Sequence, residues 1–219
     1  MKRDISSKLA IDFYKKLGAE NLASLTNEER DKDMLDFISK FLKKDDHILD
    51  LACGYGRITF LLHKQGYNVC GVDISKNLIK EAIKKAEKEN LKIRFELGDM
   101  LEIPFPSEKF DKVICLWSSF NHLLRKEDQI KSINEMYRVL KDEGLAIIDL
   151  PNGETKWAKE NIKRYGRVVP DTINGLEVKN YLHDRNSLKE ICKESDFKNY
   201  KIYIAKIGNR ERIIVLLKK

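Results

Sequence analysis

The sequence predicts one α/β domain, a three-layer sandwich whose seven-stranded sheet is mostly parallel and has an antiparallel terminal strand. Apolar strands alternate with helices of 10–15 residues between about residues 47 and 151, which is typical of βαβ units and a parallel sheet. Residues 200–217 instead show two apolar strands separated by Gly208-Asn209. That pair is a hairpin signal, so the last strand is expected to be antiparallel.

Length and composition are those of a globular protein. The chain has 219 residues, of which 42% are hydrophobic and 35% are charged, enough for one domain with a full core. We therefore treat residues 1–219 as a single domain. No apolar run approaches the ~18 residues of a membrane span, and the first residues lack the apolar stretch of a signal peptide. A cytoplasmic protein is the expectation.

Two N-terminal helices are predicted by periodicity over 4–17 and 28–42, inside a region that we place at residues 1–45. The core region, residues 46–151, contains five expected strands, at about 47–53, 68–73, 92–97, 111–117 and 145–150. The helices between them are expected at about 56–65, 76–90 and 126–140. Ser75 is a favourable N-cap for the second of these helices.

Residues 152–186 interrupt this alternation, and we interpret them as an inserted segment that forms a lid at the substrate edge. The elements expected there are a helix at 154–164 and strands at 167–169 and 176–182. Residues 187–219 close the fold, with a helix at 187–195 and strands at 200–207 and 212–217.

Several polar and aromatic residues fall where the strands end. Right-handed crossovers place these carboxyl ends on one edge of the sheet, so the following four side chains converge on one crevice: Asp50, Asp73, Asp99 and Trp117. Open α/β sheets bind ligands at this edge. Gly54-x-Gly56 lets the backbone approach a ligand closely, and an acid in the position of Asp73 accepts hydrogen bonds from ribose hydroxyls. The pattern predicts an adenosine-type cofactor.

The segment Asp50-x-Ala52-x-Gly54-x-Gly56, with Asp73 and Gly98-Asp99-Met100, resembles the class I S-adenosylmethionine-dependent methyltransferases. Their first motif runs acid-x-Gly-x-Gly-x-Gly, and Ala52 replaces its first glycine. The resemblance covers residues 46–151 well and the final hairpin in outline. It implies a Rossmann-like fold and S-adenosyl-L-methionine as cofactor, held by Asp50, Ala52, Gly54, Gly56, Arg57, Asp73, Ile74, Asp99, Met100, Leu116 and Trp117.

The resemblance also implies individual roles in the cofactor site. It places Asp99 on the adenine amino group, with Met100, Leu116 and Trp117 beside the ring. Asp99 as a plain turn residue and Trp117 as a core residue are the alternatives. The dinucleotide fingerprint GxGxxG fails at Thr59, where close helix–strand packing favours glycine or alanine, and this mismatch argues against a dehydrogenase.

Candidates on the acceptor side are fewer. The loop after the fourth strand contains His122, whose pKa range suits a general base; its alternative role is to hydrogen-bond the backbone at a helix start. We expect substrate contacts from Tyr14, Asn121, Tyr181 and His183. Tyr181 and His183 have period-two spacing and should share one face. No cluster of side chains has metal-ligand spacing, and Cys53, Cys70 and Cys115 are interpreted as small buried residues.

The leading hypothesis is a methyltransferase that acts by in-line displacement on a nitrogen or oxygen atom of a small molecule. Residues 187–219 carry 9 positive and 4 negative groups of a chain whose net charge is +7. That surplus supports two interpretations, an RNA acceptor or a solvated lysine-rich surface. A third hypothesis is a cofactor-binding protein without turnover. The sequence predicts neither a particular acceptor nor an oligomeric state.

Overall fold

The computed structural model describes residues 5–219 and confirms the predicted sheet. Its strands are β1 His47–Leu51, β2 Asn68–Asp73, β3 Phe95–Leu97, β4 Phe110–Cys115, β5 Leu140–Pro151, β8 Asn199–Ile207 and β9 Arg210–Lys218. They are ordered β3-β2-β1-β4-β5-β9-β8. β1 pairs in parallel with β2 and β4, whereas β9 pairs antiparallel with β5 and β8. The strand order reverses between β1 and β4, which puts a crevice at their carboxyl ends.

Helices on both faces of the sheet make the three layers. The α-helices within residues 5–219 are α1 Ile5–Ser24, α2 Glu28–Ile38, α3 Arg57–Lys64, α4 Lys76–Lys88, α5 Lys126–Val139, α6 Lys156–Tyr165 and α7 Arg185–Glu194. Met136 of α5 and Ile191 of α7 pack on one face, while Met34 of α2 and Leu62 of α3 pack on the other. Cover on both faces explains why the central strands read as continuous apolar runs. Over residues 5–219, no helix combines the length and apolar character needed to cross a membrane.

The two strands that border the crevice end earlier than predicted. β1 stops at Leu51 because Ala52 has a left-handed backbone, with φ 62°. β4 stops at Cys115, and Trp117, which we expected at the strand end, has φ 56°. A left-handed residue cannot continue a strand. Both strands therefore turn sharply as they reach the crevice.

Other boundaries differ for simpler reasons. β3 begins at Phe95 rather than residue 92, because it pairs with β2 only over residues 71–73. β5 begins at Leu140 rather than residue 145, because Leu140 already pairs with Phe110 before a register shift. The first predicted helix starts at residue 4, outside the described residues. α1 continues beyond its predicted end across a break at Gly18, with φ 73° and ψ 169°.

The inserted segment contains α6 and a separate two-stranded antiparallel sheet, β6 Val168–Ile173 and β7 Leu176–Tyr181. The hairpin packs against α1, where Val178 joins Phe13 and Leu17 in one buried cluster. We call α1 and the β6–β7 hairpin the roof, because α1 lines the crevice at the strand ends and the hairpin packs on α1. α1 and the hairpin, which lie about 150 residues apart in the sequence, thus pack against each other.

Gly56 tests how closely the first turn is packed. Gly56 and Gly66 both have φ +84°, but a Cβ on Gly56 would lie 2.7 Å from the Phe95 ring, whereas nothing lies within 4 Å of one on Gly66. We expect Gly66→Ala to lower the free energy of unfolding by about 1 kcal/mol through backbone strain. Gly56→Ala should lose a further ~1–3 kcal/mol through overpacking. Urea unfolding measures both, and equal losses would contradict the packing argument.

Candidate active site

The crevice begins at the loop between β1 and α3, residues 52–56, which we call the glycine loop. Ala52, Gly54 and Gly56 all have positive φ, at 62°, 59° and 84°. Ala52, the departure from the family motif, therefore occupies a conformation that glycine adopts with less strain. The Cys53 N–H donates to the Val72 carbonyl at 3.0 Å, which holds the loop against β2.

Asp73, at the end of β2, organises the glycine loop. Its Oδ2 accepts the Gly54 N–H and its Oδ1 accepts the Ser75 N–H, both at 2.8 Å. The residue is 7% exposed. Burial raises the pKa of Asp73 to about 6, against the lowering effect of its backbone hydrogen bonds. Each carboxylate oxygen has a further lone pair for a ligand hydroxyl.

Asp50 lies below the loop and is also buried. Its Oδ2 accepts the Thr59 hydroxyl at 2.6 Å. Burial and, to a smaller extent, the neighbouring Asp73 raise the pKa of Asp50 to about 7, against the lowering effect of the Thr59 hydrogen bond. Thr59, which breaks the dinucleotide fingerprint, therefore has a definite structural role as the hydrogen-bond donor to Asp50.

Asp99 and Met100 follow β3 and border the same cavity as Asp73 and Ile74. The Asp99 Oδ1 accepts the Leu101 N–H at 3.0 Å, so Asp99 does act as a turn residue. It is nevertheless partly exposed toward the cavity, and a turn role leaves its other oxygen for a ligand. Its contact with adenine stays a prediction.

The far end of the crevice is lined by Leu116 and Trp117. Two guanidinium groups lie over the Trp117 ring, Arg30 at 5.3 Å and Arg57 at 5.0 Å from its centroid. Arg57 also forms an ion pair with the buried Asp31. Burial, and then Arg30, lower the pKa of Arg57 to about 10. This end of the crevice is consequently cationic and rich in hydrogen-bond donors.

Tyr14 and His122 meet directly. The Tyr14 hydroxyl and His122 Nε2 are 2.8 Å apart, and the imidazole also bonds the Lys179 backbone carbonyl of β7. The ring nitrogen that bonds a carbonyl must carry the imidazole proton. Nε2 is then the unprotonated nitrogen and accepts a hydrogen bond from the Tyr14 hydroxyl. Burial lowers the pKa of His122 to about 4 and, as the largest effect, raises that of Tyr14. Both groups are neutral at pH 7.

His122 stands where the crevice meets a second opening between α1 and the β6–β7 hairpin. It lines both spaces. The second opening has a mixed lining, with apolar side chains from Phe13, Leu124 and Val178 and charged ones from Asp12, Lys16, Asp171, Glu177 and Lys179. His122 therefore faces the cofactor crevice on one side and a path from solvent on the other.

Tyr181, His183 and Asn121 lie behind this junction. The Tyr181 and His183 rings are in contact, with centroids 4.5 Å apart, so they share one side as predicted. His183 also faces Phe120 and is 1% exposed. Burial lowers the pKa of His183 to about 3, and neither ring nitrogen has a hydrogen-bond partner within residues 5–219. Asn121 is likewise buried, and substrate contacts from these three residues stay predictions.

Some crevice residues were not predicted. Leu22 and Tyr55 line the cavity beneath α1, and Arg30 reaches Trp117 from α2. Tyr55 lies inside the glycine loop and was available from the motif. Nothing local to α1 or α2 indicates that Leu22 or Arg30 approaches the crevice, since both depend on how those helices pack.

Comparisons with known proteins identify the class. Residues 48–144 match the family model described as a methyltransferase domain. The putative methyltransferase YqeM of Bacillus subtilis is 36% identical over 114 residues, which are 52% of this chain and 46% of that protein. A glycine/sarcosine N-methyltransferase of Aphanothece halophytica is 35% identical over 120 residues, which are 53% of this chain and 45% of that protein.

The fold is shared more widely. The crystal structure of the PH0226 protein from Pyrococcus horikoshii OT3 has a TM-score of 0.74 and 23% identity, and the alignment covers 94% of this chain and 98% of that one. Residues 48–144 therefore form a domain of the methyltransferase type, and the comparisons support S-adenosylmethionine as its cofactor. It spans about half the length of the curated relatives that it matches.

The raised pKa values predict how the stability of the ligand-free protein depends on pH. A carboxyl group whose pKa is raised by folding contributes fully below its unfolded pKa of about 4, and the contribution is lost as the pH rises through its folded value. For Asp50 and Asp73 those folded values are about 7 and about 6. We compare the free energy of unfolding of Asp50→Asn with that of the unsubstituted protein at each pH. The difference should be more favourable to the variant at pH 8 than at pH 5. Urea unfolding measures this, and parallel pH profiles would contradict it.

Proposed function

We propose that this chain transfers a methyl group from S-adenosylmethionine to a nitrogen or oxygen atom of a small-molecule acceptor. The observation that supports it is the junction at His122, where a crevice of cofactor-binding type meets a second opening that His122 also lines. The bound sulfonium supplies an electrophilic methyl group: the acceptor lone pair forms the new bond, and the electrons of the broken C–S bond remain on sulfur. The protein must align the acceptor, exclude water and accept a proton where one is released.

The buried residues fit this cofactor. Asp73 offers lone pairs for the ribose hydroxyls, and the Gly54 backbone approaches without a Cβ. Met100 and Leu116 provide apolar walls for the adenine ring, as does Ile74. Arg57 and the Trp117 indole N–H, which has no partner among the described residues, are donors suited to the ligand carboxylate. Asp50, below the loop, is suited to the cationic part of the ligand.

His122 is the proposed proton acceptor, with Tyr14 as its partner. Because its Nε2 already accepts a hydrogen bond from Tyr14, an acceptor hydroxyl or ammonium group must replace that bond or transfer its proton through the tyrosine. The hydrogen bond to the Lys179 carbonyl keeps the imidazole proton on the other ring nitrogen, so Nε2 is the basic atom. Burial lowers the pKa of His122 to about 4, so the imidazole is unprotonated at neutral pH but is a weaker base than one whose pKa lies near that pH.

The roof is the proposed lid. His122 bonds Tyr14 on α1 and Lys179 on β7, so one side chain joins both parts of the roof to the core. Closing such a roof excludes water from the reacting atoms. Hydrogen exchange of residues 168–181 tests this. Slower exchange when the acceptor is bound is expected, and unchanged exchange would contradict a lid.

A small-molecule acceptor is favoured over RNA by the position of two exposed lysines on the final hairpin. Exposed Lys201 and Lys206 lie on β8, the edge strand, which β5 and β9 separate from β4. Lysines on an edge strand protect it from pairing with other chains, which accounts for them without a nucleic acid. The relatives named for glycine and sarcosine point the same way. Salt-dependent RNA binding in a filter assay would reverse this preference.

Ligand-dependent stability tests the cofactor assignment. S-adenosylhomocysteine at 100 times its dissociation constant should add about 2.7 kcal/mol, a rise in melting temperature of roughly 5–10 °C, whereas NAD and NADP should add nothing. Asp73→Ala should weaken its binding by about 1.5–3 kcal/mol in calorimetry, the range for a hydrogen bond to a charged group. Asp45→Ala, an exposed carboxylate before β1, is the control. Unchanged affinity in Asp73→Ala would remove Asp73 from the site.

The proton acceptor is tested with variants at the junction. Release of S-adenosylhomocysteine from a panel of small amines and phenols first identifies an acceptor. With that acceptor, His122→Ala should lower kcat about 10²–10⁴-fold, whereas Tyr14→Phe should mainly change KM, because Nε2 remains free to accept the proton. S-adenosylhomocysteine affinity should be retained in both. An equal kcat in His122→Ala would exclude His122 as the base, and no turnover with any acceptor would favour a binding protein.

A further inference from the structure

The backbone after β4 is strained at two consecutive positions. Trp117 has φ 56° and Ser118 has φ 70°, and neither is glycine. Bulky side chains rarely adopt this conformation, and it persists only where surrounding structure enforces it. The crevice depends on it, because this turn orients the Trp117 ring and begins the 3-10 turn Ser119–His122.

A buried ion pair enforces that turn. Arg212 on β9 donates from Nε to Asp149 Oδ1 and from Nη2 to Asp149 Oδ2, both at 2.7 Å. The same Asp149 Oδ2 accepts the Trp117 N–H at 2.9 Å. Arg212 also donates to Ser118 Oγ at 2.9 Å. The Ser118 N–H in turn donates to the Asp149 carbonyl at 3.3 Å, so both strained residues are held by one pair.

The arrangement is rigid because it is dry and bidentate. Asp149 is fully buried and Arg212 is 9% exposed, on adjacent antiparallel strands. A planar guanidinium fork matches a carboxylate in one orientation, which gives geometric specificity as well as strength. A lysine at this position keeps the charge and loses the fork.

We propose that Arg212 is a positioning residue for the reaction, acting through Asp149 to hold Trp117 and Ser118 in the left-handed conformation that shapes the crevice. It touches neither cofactor nor acceptor. The inference rests on the proposed function for its catalytic meaning, but the ion pair's control of the turn is independent of it. A residue that served only general stability would not act on the crevice through these two backbone positions.

A variant that relieves the backbone strain at Ser118 distinguishes a positioning role of Arg212 from a role in general stability. Glycine adopts a positive φ without support, so Ser118→Gly should restore the turn when the fork is lost. We expect Arg212→Lys to weaken S-adenosylhomocysteine binding about tenfold and Arg212→Lys/Ser118→Gly to recover most of that affinity. Asn90→Gly is the matched control, because Asn90 is also left-handed, with φ 52°, and is exposed after α4. Added to Arg212→Lys, Asn90→Gly should restore stability to urea without restoring affinity for S-adenosylhomocysteine.

Trp117 gives a readout that needs no ligand. The chain has two tryptophans, so Trp157→Phe leaves Trp117 as the sole indole fluorophore. Acrylamide should quench Trp117 more strongly in Arg212→Lys, and Ser118→Gly should reverse the change where Asn90→Gly does not. Unchanged quenching in Arg212→Lys, or equal rescue by both glycines, would overturn the proposal. If the unsubstituted protein fails to bind S-adenosylhomocysteine, the proposed function fails, and the quenching series still decides the role of Arg212.

Discussion

Two left-handed turns, one after β1 and one after β4, are the constraint on which the crevice depends. The two strands lie side by side at the point where the sheet order reverses, and each must leave the sheet abruptly so that a ligand can reach the strand ends. The chain meets this requirement in two ways. After β1 it uses Gly54 and Gly56, whose backbone adopts positive φ without a Cβ penalty, together with Ala52. After β4 it uses Trp117 and Ser118, which must be held there by Asp149 and Arg212. A ring as large as Trp117 is thereby placed against the ligand space, where a glycine would contribute no surface.

Burial of carboxylates is the second consequence of this design. Asp50 and Asp73 are both buried beneath the glycine loop, and burial raises the pKa of each. The ligand-free protein therefore holds two acids that resist ionisation at a site suited to a cationic ligand. A positive charge nearby favours the ionised form of both. Part of the binding free energy is thus spent on completing their ionisation, which links cofactor affinity to pH.

The sequence predicts the half of the site that is encoded locally. Glycines, an acid at a strand end and a Gly-Asp pair each act within a few residues, so Gly54, Asp73 and Asp99 could be assigned to one edge before the fold was known. The parallel core and the antiparallel terminal strand followed from the alternation of strands and helices and from the hairpin signal. The rest depends on contacts between distant segments. Arg212 is 63 residues from Asp149 and 94 from Ser118, and Tyr14 is 108 from His122. No spacing rule connects such pairs. For this reason the sequence predicted Trp117 as the end of a strand rather than as a left-handed turn residue.

The same division separates what this chain shares with its relatives from what is its own. The family match covers residues 48–144, which contain the glycine loop, Asp73, Asp99 and His122 but neither part of the roof. The roof comes from α1 and the β6–β7 hairpin, which flank that region in sequence and meet only through packing around Val178. His122 is the point of contact, since it belongs to the shared region and bonds both flanking segments. In the function proposed above, specificity for an acceptor would come from residues outside the shared region that reach His122, chiefly Tyr14 and the hairpin. A chain with the same core and a different roof would keep the donor and change the substrate.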